Sequence, residues 1–223
     1  MFIGHYAVGF AAKKWAPKTS LALLFGAAIW LDIVWPIFVM LGLERFAVAP
    51  GITRMSPFDF LDYPLSHSLV MAVVWGAGLA LVYLLIEKDA KSAWILGGLV
   101  VSHWFLDLIV HRPDLPLLPA EINNSGMLHK YGLGLWNYPA WELPVEFGLF
   151  AAGVWIYAKS TKESKPWGNL GLVGLVFFLA AFFIASLKVT VPNNTNGLVF
   201  FGQLLTVIFL FLGYWVDDNR KSV

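Results

Sequence analysis

The 223-residue chain contains no cysteine. Disulfides and thiolate metal sites are therefore excluded. Charge is also scarce: 13% of residues are Asp, Glu, Lys or Arg, against about a quarter in a soluble domain. There is no Gly-Lys-Ser/Thr phosphate loop and no dinucleotide fingerprint. Net charge is +1, so the total points to no polyanionic partner, and nucleic acid is not expected. What remains is apolar. Hydrophobic residues make up 59% of the chain, mean hydropathy is +0.71, and the apolar residues fall in long blocks. Eleven Trp suit anchoring at the headgroup level. These features predict an integral membrane protein.

Six segments are long enough to span: Leu21–Leu43, Leu69–Ile86, Ala93–Val110, Trp141–Ala158, Asn169–Leu187 and Gly197–Val216. The predicted fold is an all-α integral membrane protein, one transmembrane domain over 1–223. Residues 1–12 are too short to cross and form a short helix, either half-inserted or lying at the interface. Their positive charges follow the apolar run, so no signal peptide is expected. Two Pro-containing connections, 44–68 and 111–140, are the longest. Alternate loops carry ten Lys/Arg on one side, including Lys13, Lys88, Lys165 and Arg220, against five on the other. That asymmetry predicts cytoplasmic termini and outward-facing long loops. A bacterial inner membrane is the expected location.

Ionisable residues inside spans are expensive and mark sites. Four acids lie within or at the edge of spans: Asp32, Asp107, Glu142 and Glu146. The stretch Ser102–Pro116 places His103, Asp107 and His111 four residues apart, along one helix face. Glu142 and Glu146 repeat that spacing. By helix rise, Asp32 sits about 16 Å and His103 about 15 Å from the charge-rich side. Facing helices that carry such residues build metal sites in bundle cores. Mixed imidazole and carboxylate ligands suit Zn, Mn or Fe(II), and carboxylate with water suits Mg.

Each residue also has a structural reading. Asp32 can be a helix-packing hydrogen bonder, and His103 with Asp107 a buried structural pair. His111 and Glu142 lie near the water interface, where both can simply be solvated. His5 can be interfacial, and Ser66 or Ser68 beside His67 can cap the second span. His129 reads as a loop residue. Asn-Asn-Ser and Asn-Asn-Thr match the glycosylation pattern weakly. Adjacent Ser-His pairs, Ser66-His67 and Ser102-His103, are no sign of a nucleophilic dyad, because neighbours on a helix point about 100° apart.

The order His5, Asp32, His67-Ser68, His103-x-x-x-Asp107 resembles a LexA-regulated inner-membrane family described as metal-dependent hydrolases. The likeness covers roughly the first half. The family's Pro-Asp-x-Asp stands here as "WLDIVWP", with one Asp, and its His-Arg pair is replaced by Asp62-Tyr63. "SHWFLDLIVHRPDLPLLP" with "GLGLWNYPAWELPVE" is similar to small bacterial membrane proteins of this length, which brings no activity with it.

The resemblance and the clustering together imply a membrane-embedded hydrolase. A divalent metal (Zn, Mn or Mg) would sit on His5, Asp32, His67, His103 and Asp107. Glu146, Glu142 and His111 are the catalytic candidates, with a glutamate as general base. The expected substrate is a membrane lipid or lipid-linked ester or phosphoester. An alternative is an ion or small-solute permease using the same residues as a relay, and a third is a non-enzymatic assembly partner.

Overall fold

The computed structural model describes residues 1–119, 130–188 and 195–223. The chain is mostly helical. In order come α1 (Ile3–Ala12), α2 (Leu21–Ala28), α3 (Trp30–Met40), β1 (Arg45–Val48), β2 (Phe58–Asp62), α4 (Pro64–His67), α5 (Leu69–Glu87) and α6 (Ala90–Val110). Then follow β3 (Leu115–Pro116), β4 (Lys130–Tyr131), α7 (Pro139–Ser160), β5 (Thr161–Glu163), α8 (Gly168–Ser186), α9 (Thr195–Asp218) and β6 (Arg220–Ser222). His129 and the Asn-Asn-Ser tripeptide lie outside the described residues, as do both asparagines of Asn-Asn-Thr.

Among the described residues, four helices are long and apolar enough to cross a membrane: α5, α6, α8 and α9. The chain is an integral membrane protein by this measure. Two span expectations change. Leu21–Leu43 is not one straight helix: it breaks at Ile29 and bends by 59° between α2 and α3, and this pair counts at most as a fifth crossing. The segment Trp141–Ala158 does form a helix, the 22-residue α7, but is not among the apolar spans. Glu142 and Glu146 lower its hydropathy, and both are buried within the bundle.

The helix ends follow from local sequence. Ser68 accepts from Met71 N and starts α5; Ser66 does not do so. Lys88 takes the left-handed conformation (φ 55°), and Asp89 then caps α6 by accepting from Ser92 N and Ser92 Oγ. Those two bonds hold the exposed Asp89 carboxyl below the usual range. The resulting tight α5–α6 hairpin packs backbone to backbone. A methyl on Gly76 would stand 2.7 Å from the Gly97 carbonyl oxygen. Small residues at such crossings are how membrane helices approach.

The long connections are not plain loops. β1 and β2 pair antiparallel, with Phe46 opposite Phe60. This hairpin and the β3–β4 pair lie at the end of the bundle where α6 terminates. At the other end β5 pairs with β6, drawing the end of α9 against that of α7. There Asp217 accepts from Lys13 Nζ (2.6 Å), Tyr157 Oη (3.0 Å) and Leu21 N (3.1 Å), so the ends of α1, α2, α7 and α9 meet at one half-buried carboxylate.

Residues 1–12 do not lie flat at an interface. α1 packs inside the bundle against α2, α6 and α7, and His5 is 1% exposed. A methyl on Gly153 of α7 would stand 2.2 Å from the Ala7 carbonyl oxygen, so the two helices touch at that point.

Candidate metal centre

The break at Ile29 positions the first part of the site. It ends α2 at Ala28, whose carbonyl is then free of its helical partner. His103 Nδ1 donates to it at 2.9 Å. A carbonyl is an acceptor only, so the proton of His103 is on Nδ1 and Nε2 carries a lone pair. The same break puts Asp32 in the first turn of α3, where the helix dipole favours a carboxylate.

Two further histidines are oriented in the same way. Ser66 Oγ donates to Glu44 Oε2 (2.6 Å) and receives His67 Nδ1–H at 2.8 Å. Ser66 N also donates to Glu44 Oε1 (2.8 Å). Burial pushes the Glu44 carboxyl up to about 7, against the pull of those two bonds. His111 Nδ1 donates to Asp114 Oδ1 (2.9 Å), which also receives Tyr63 Oη–H (3.0 Å). Burial, and then the Asp114 carboxylate, push the Tyr63 hydroxyl well above its ordinary value, so it stays a donor. Each of the three imidazoles is thus pinned at Nδ1 and presents an Nε2 lone pair.

Those lone pairs converge on carboxylates. His103 Nε2 is 3.1 Å from Asp107 Oδ2 and 3.7 Å from Asp32 Oδ2. His67 Nε2 is 3.7 Å from Asp32 Oδ1 and 3.9 Å from Asp107 Oδ2. His111 Nε2 is 3.8 Å from Asp107 Oδ2. His5 reaches the group through Nε2, 3.0 Å from Asp107 Oδ1, and its ring stacks on His103 at 3.8 Å. The Met1 amine lies 2.5 Å from Asp107 Oδ1.

The donor set fits a divalent cation. His5, His103 and Asp107 form one group of mutually close donors; Asp32, His67 and His103 form a second. Donors around a tetrahedral ion at about 2.1 Å stand roughly 3.4 Å from one another. The observed separations bracket that figure. His103 Nε2 is buried and makes no hydrogen bond, although a carboxylate oxygen is 3.1 Å away. A lone pair facing a lone pair at that distance is repulsive unless a cation or proton lies between them. His5 Nδ1 is likewise buried without a partner. Nitrogen and oxygen donors without sulfur suit Zn, Mn, Fe(II) or Mg.

Access is one-sided. The Asp32 side chain is 46% exposed, whereas those of the other four are at most 4% exposed. Over His111 lie two rings, Trp136 at 4.3 Å and Phe60 of the β1–β2 hairpin at 5.0 Å. Arg112 ties that hairpin down through Asp59, and it also donates to Asp114 Oδ2 at 3.2 Å.

All five expected ligands therefore meet, with His111 beside them. His111 is not solvated; it is buried under those rings. Glu142 is not wet either, at 1% exposed. Glu142 and Glu146 stand apart from the group: among the described residues no hydrogen bond or ion pair joins either to it. Glu146 Oε1 accepts instead from Phe2 N (2.5 Å) and Gly4 N (3.1 Å). Glu44, Ser66, Tyr63, Asp114 and the Ala28 carbonyl orient these imidazoles and were not among the residues expected at the site. Asp114 had a signal, three residues after His111 on the same stretch. Ser66 and His67, although neighbours in the chain, do share a hydrogen bond, but the Ser66 hydroxyl donates to Glu44 and is no nucleophile in that state.

Ser66→Ala removes the bridge and takes the hydroxyl partner from His67 Nδ1 and Glu44 Oε2, while the backbone N–H of residue 66 still donates to Glu44 Oε1. Metal affinity is expected to fall about 10- to 100-fold, as for other outer-sphere partners. Isothermal titration of the purified protein measures it, and Ser66→Thr is expected to restore most of the loss. No family model, curated protein or solved structure matches this chain.

Proposed function

We propose that this protein is a membrane-embedded, metal-dependent hydrolase acting on a lipid-linked or membrane-accessible ester or phosphoester. One observation carries the reading. Two buried histidines, His67 and His103, each fixed at Nδ1 by an acceptor, aim Nε2 at the same two carboxylates, Asp32 and Asp107, and His111, fixed in the same way, aims its own at Asp107 alone. The family resemblance of the His5, Asp32, His67-Ser68, His103, Asp107 order points the same way.

His103, Asp107 and Asp32 would hold the ion, with His5 and His67 completing the set. Bound there, a divalent cation supplies Lewis acidity toward a carbonyl or phosphoryl oxygen and acidifies water. The chain's own residues do the rest. His111 Nε2 accepts a proton, and Asp114, held by Tyr63 and Arg112, stabilises the resulting imidazolium. Asp32, as the exposed ligand, marks where substrate arrives. Phe60 and Trp136 keep bulk water from His111.

The finer topology belongs to the same proposal. α7 crosses as a sixth span, its glutamates turned inward. Lys13, Tyr83 and Arg220 lie toward one end, because Thr19 meets Tyr83 and Asp217 meets Lys13. That end faces the cytoplasm of a bacterial inner membrane, and the site lies toward the outer leaflet.

The test is metal analysis of detergent-purified protein, followed by hydrolysis assays on ester and phosphoester lipids in proteoliposomes. Stoichiometric metal is expected, with hydrolysis that a chelator abolishes and the ion restores. Protein that holds no metal and ignores chelators overturns the reading. A permease is the second reading, favoured by the adjacent buried carboxyls of Glu142 and Glu146. Ion flux lost in Asp107→Asn, with no hydrolysis in the wild type, would decide for it.

A further inference from the structure

His5 is delivered to the site by α1, a helix of ten residues with no side-chain cap of its own. Its amide N–H groups at the N-terminal end need an acceptor inside an apolar bundle, where none comes from water. Glu146 supplies it. Oε1 receives Phe2 N and Gly4 N, on either side of Ile3 and immediately before His5. Two turns further along α7, Gly153 touches the Ala7 carbonyl, and any side chain there would press on α1. α1 is thus fixed to α7 at two heights. Glu146 Oε2 and both oxygens of Glu142 are buried with no donor from elsewhere in the described residues, and the two carboxyls lie within hydrogen-bond reach of each other.

We propose that Glu146 is a positioning residue: its carboxylate oxygen clamps the first turn of α1 to α7 and thereby sets His5 against Asp107 and His103. The inference rests on the metal-centre reading for its consequence, but not for the clamp itself. It assigns Glu146 a role in assembling the site, at the start of α1, rather than at the reacting atoms.

The geometry distinguishes acceptor from charge. In Glu146→Gln the amide oxygen still receives both N–H groups, and the amide nitrogen takes the place of Oε2 and can donate to the Glu142 carboxyl beside it. In Glu146→Ala the two N–H groups are left buried without a partner.

The experiment uses two readouts on the full chain. The absence of cysteine makes a single Ile3→Cys, fully buried and smaller than the native side chain, a clean probe of α1. Maleimide labelling of that thiol reports whether α1 is seated, and Co2+ titration by visible absorption reports the site. With Glu146→Ala, labelling is expected to accelerate at least about tenfold and Co2+ affinity to fall about 10- to 100-fold. Glu146→Gln is expected to keep both within about threefold of the parent. Should Glu146→Ala not fold, Gly153→Ala tests the same seat with Glu146 intact and is expected to shift both readouts the same way.

Unchanged labelling in Glu146→Ala, or Glu146→Gln behaving like Glu146→Ala, overturns the clamp. A parent protein that binds no Co2+ overturns the metal reading alone, and labelling then decides the clamp: acceleration in Glu146→Ala upholds it, and none refutes it.

Discussion

Asp107→Asn is expected to lower metal affinity by more than about 100-fold, leaving only the Asp32, His67 and His103 group to hold an ion weakly. Asp107 is the hub of the group. Its Oδ1 faces His5 at 3.0 Å, and its Oδ2 faces His103, His111 and His67 at 3.1, 3.8 and 3.9 Å. Asparagine has the same shape but no charge and one N–H2 in place of an oxygen. The amide can donate to one of the Nε2 lone pairs, so the ion-free state gains a partner it lacks in the native chain. The substitution also leaves the buried Met1 ammonium, 2.5 Å from Asp107 Oδ1, without its counter-charge, so some loss of native stability is expected beside the loss of affinity. Affinity should therefore fall by more than the roughly 10- to 100-fold typical of losing an outer partner.

Melting temperature reads the same difference. Ion at about 100 times its dissociation constant stabilises the native state by about 2.7 kcal/mol. A chelator should lower the melting temperature of the wild type and leave that of Asp107→Asn unmoved. Asp107→Asn protein that still carries stoichiometric metal would remove the site assignment. A variant that fails to fold, while Asp107→Leu folds, would show that amide burial rather than metal loss was being measured.

The parts of this site that could be read from sequence are those on one continuous helix. His103, Asp107 and His111 fall on a stripe because α6 runs unbroken through them. The depth of Asp32 was legible because α2 and α3 together still advance across the bundle. The break at Ile29 was not. Pro36, the visible breaker, lies inside α3, and no Gly or Pro marks the bend. Yet that break frees the carbonyl that fixes His103.

The orienting partners divide by distance along the chain. Asp114 follows His111 by three residues, while Glu44 is 22 residues from Ser66 and Glu146 is 142 from Gly4. Nothing local reports such pairings. Periodicity shows which residues share a face; it does not show what meets that face. The same limit explains α7. The spacing of Glu142 and Glu146 puts them on one face of α7, but a shared face alone does not bring a side chain to a site. α1 lies against α7, and the Glu146 carboxylate is taken up by its first turn. The strands of 45–62 were also missed, because a short alternating run such as Phe58–Asp62 between prolines reads as loop until its partner is known.

His103→Gln carries the second large expectation, because His103 belongs to both donor groups. Its Nε2 has one lone pair and can bind one ion at a time. The two groups therefore compete for His103 and cannot both be filled through it. This argues for a single cation, drawn toward His5 and Asp107 or toward Asp32 and His67, with His103 common to either placement.

The expected ranking follows directly. His103→Gln breaks both groups and should lose essentially all bound metal. His5→Gln leaves Asp32, His67 and His103 in place, and His67→Gln leaves His5, His103 and Asp107. Each should keep weaker binding, with affinity lowered by about 10- to 100-fold and a changed Co2+ spectrum. Metal content by mass spectrometry, with the spectra, separates the cases. If His103→Gln retained its ion while His67→Gln or His5→Gln lost it, the shared lone pair would not be the centre of the site, and the cation would have to rest on the carboxylates instead.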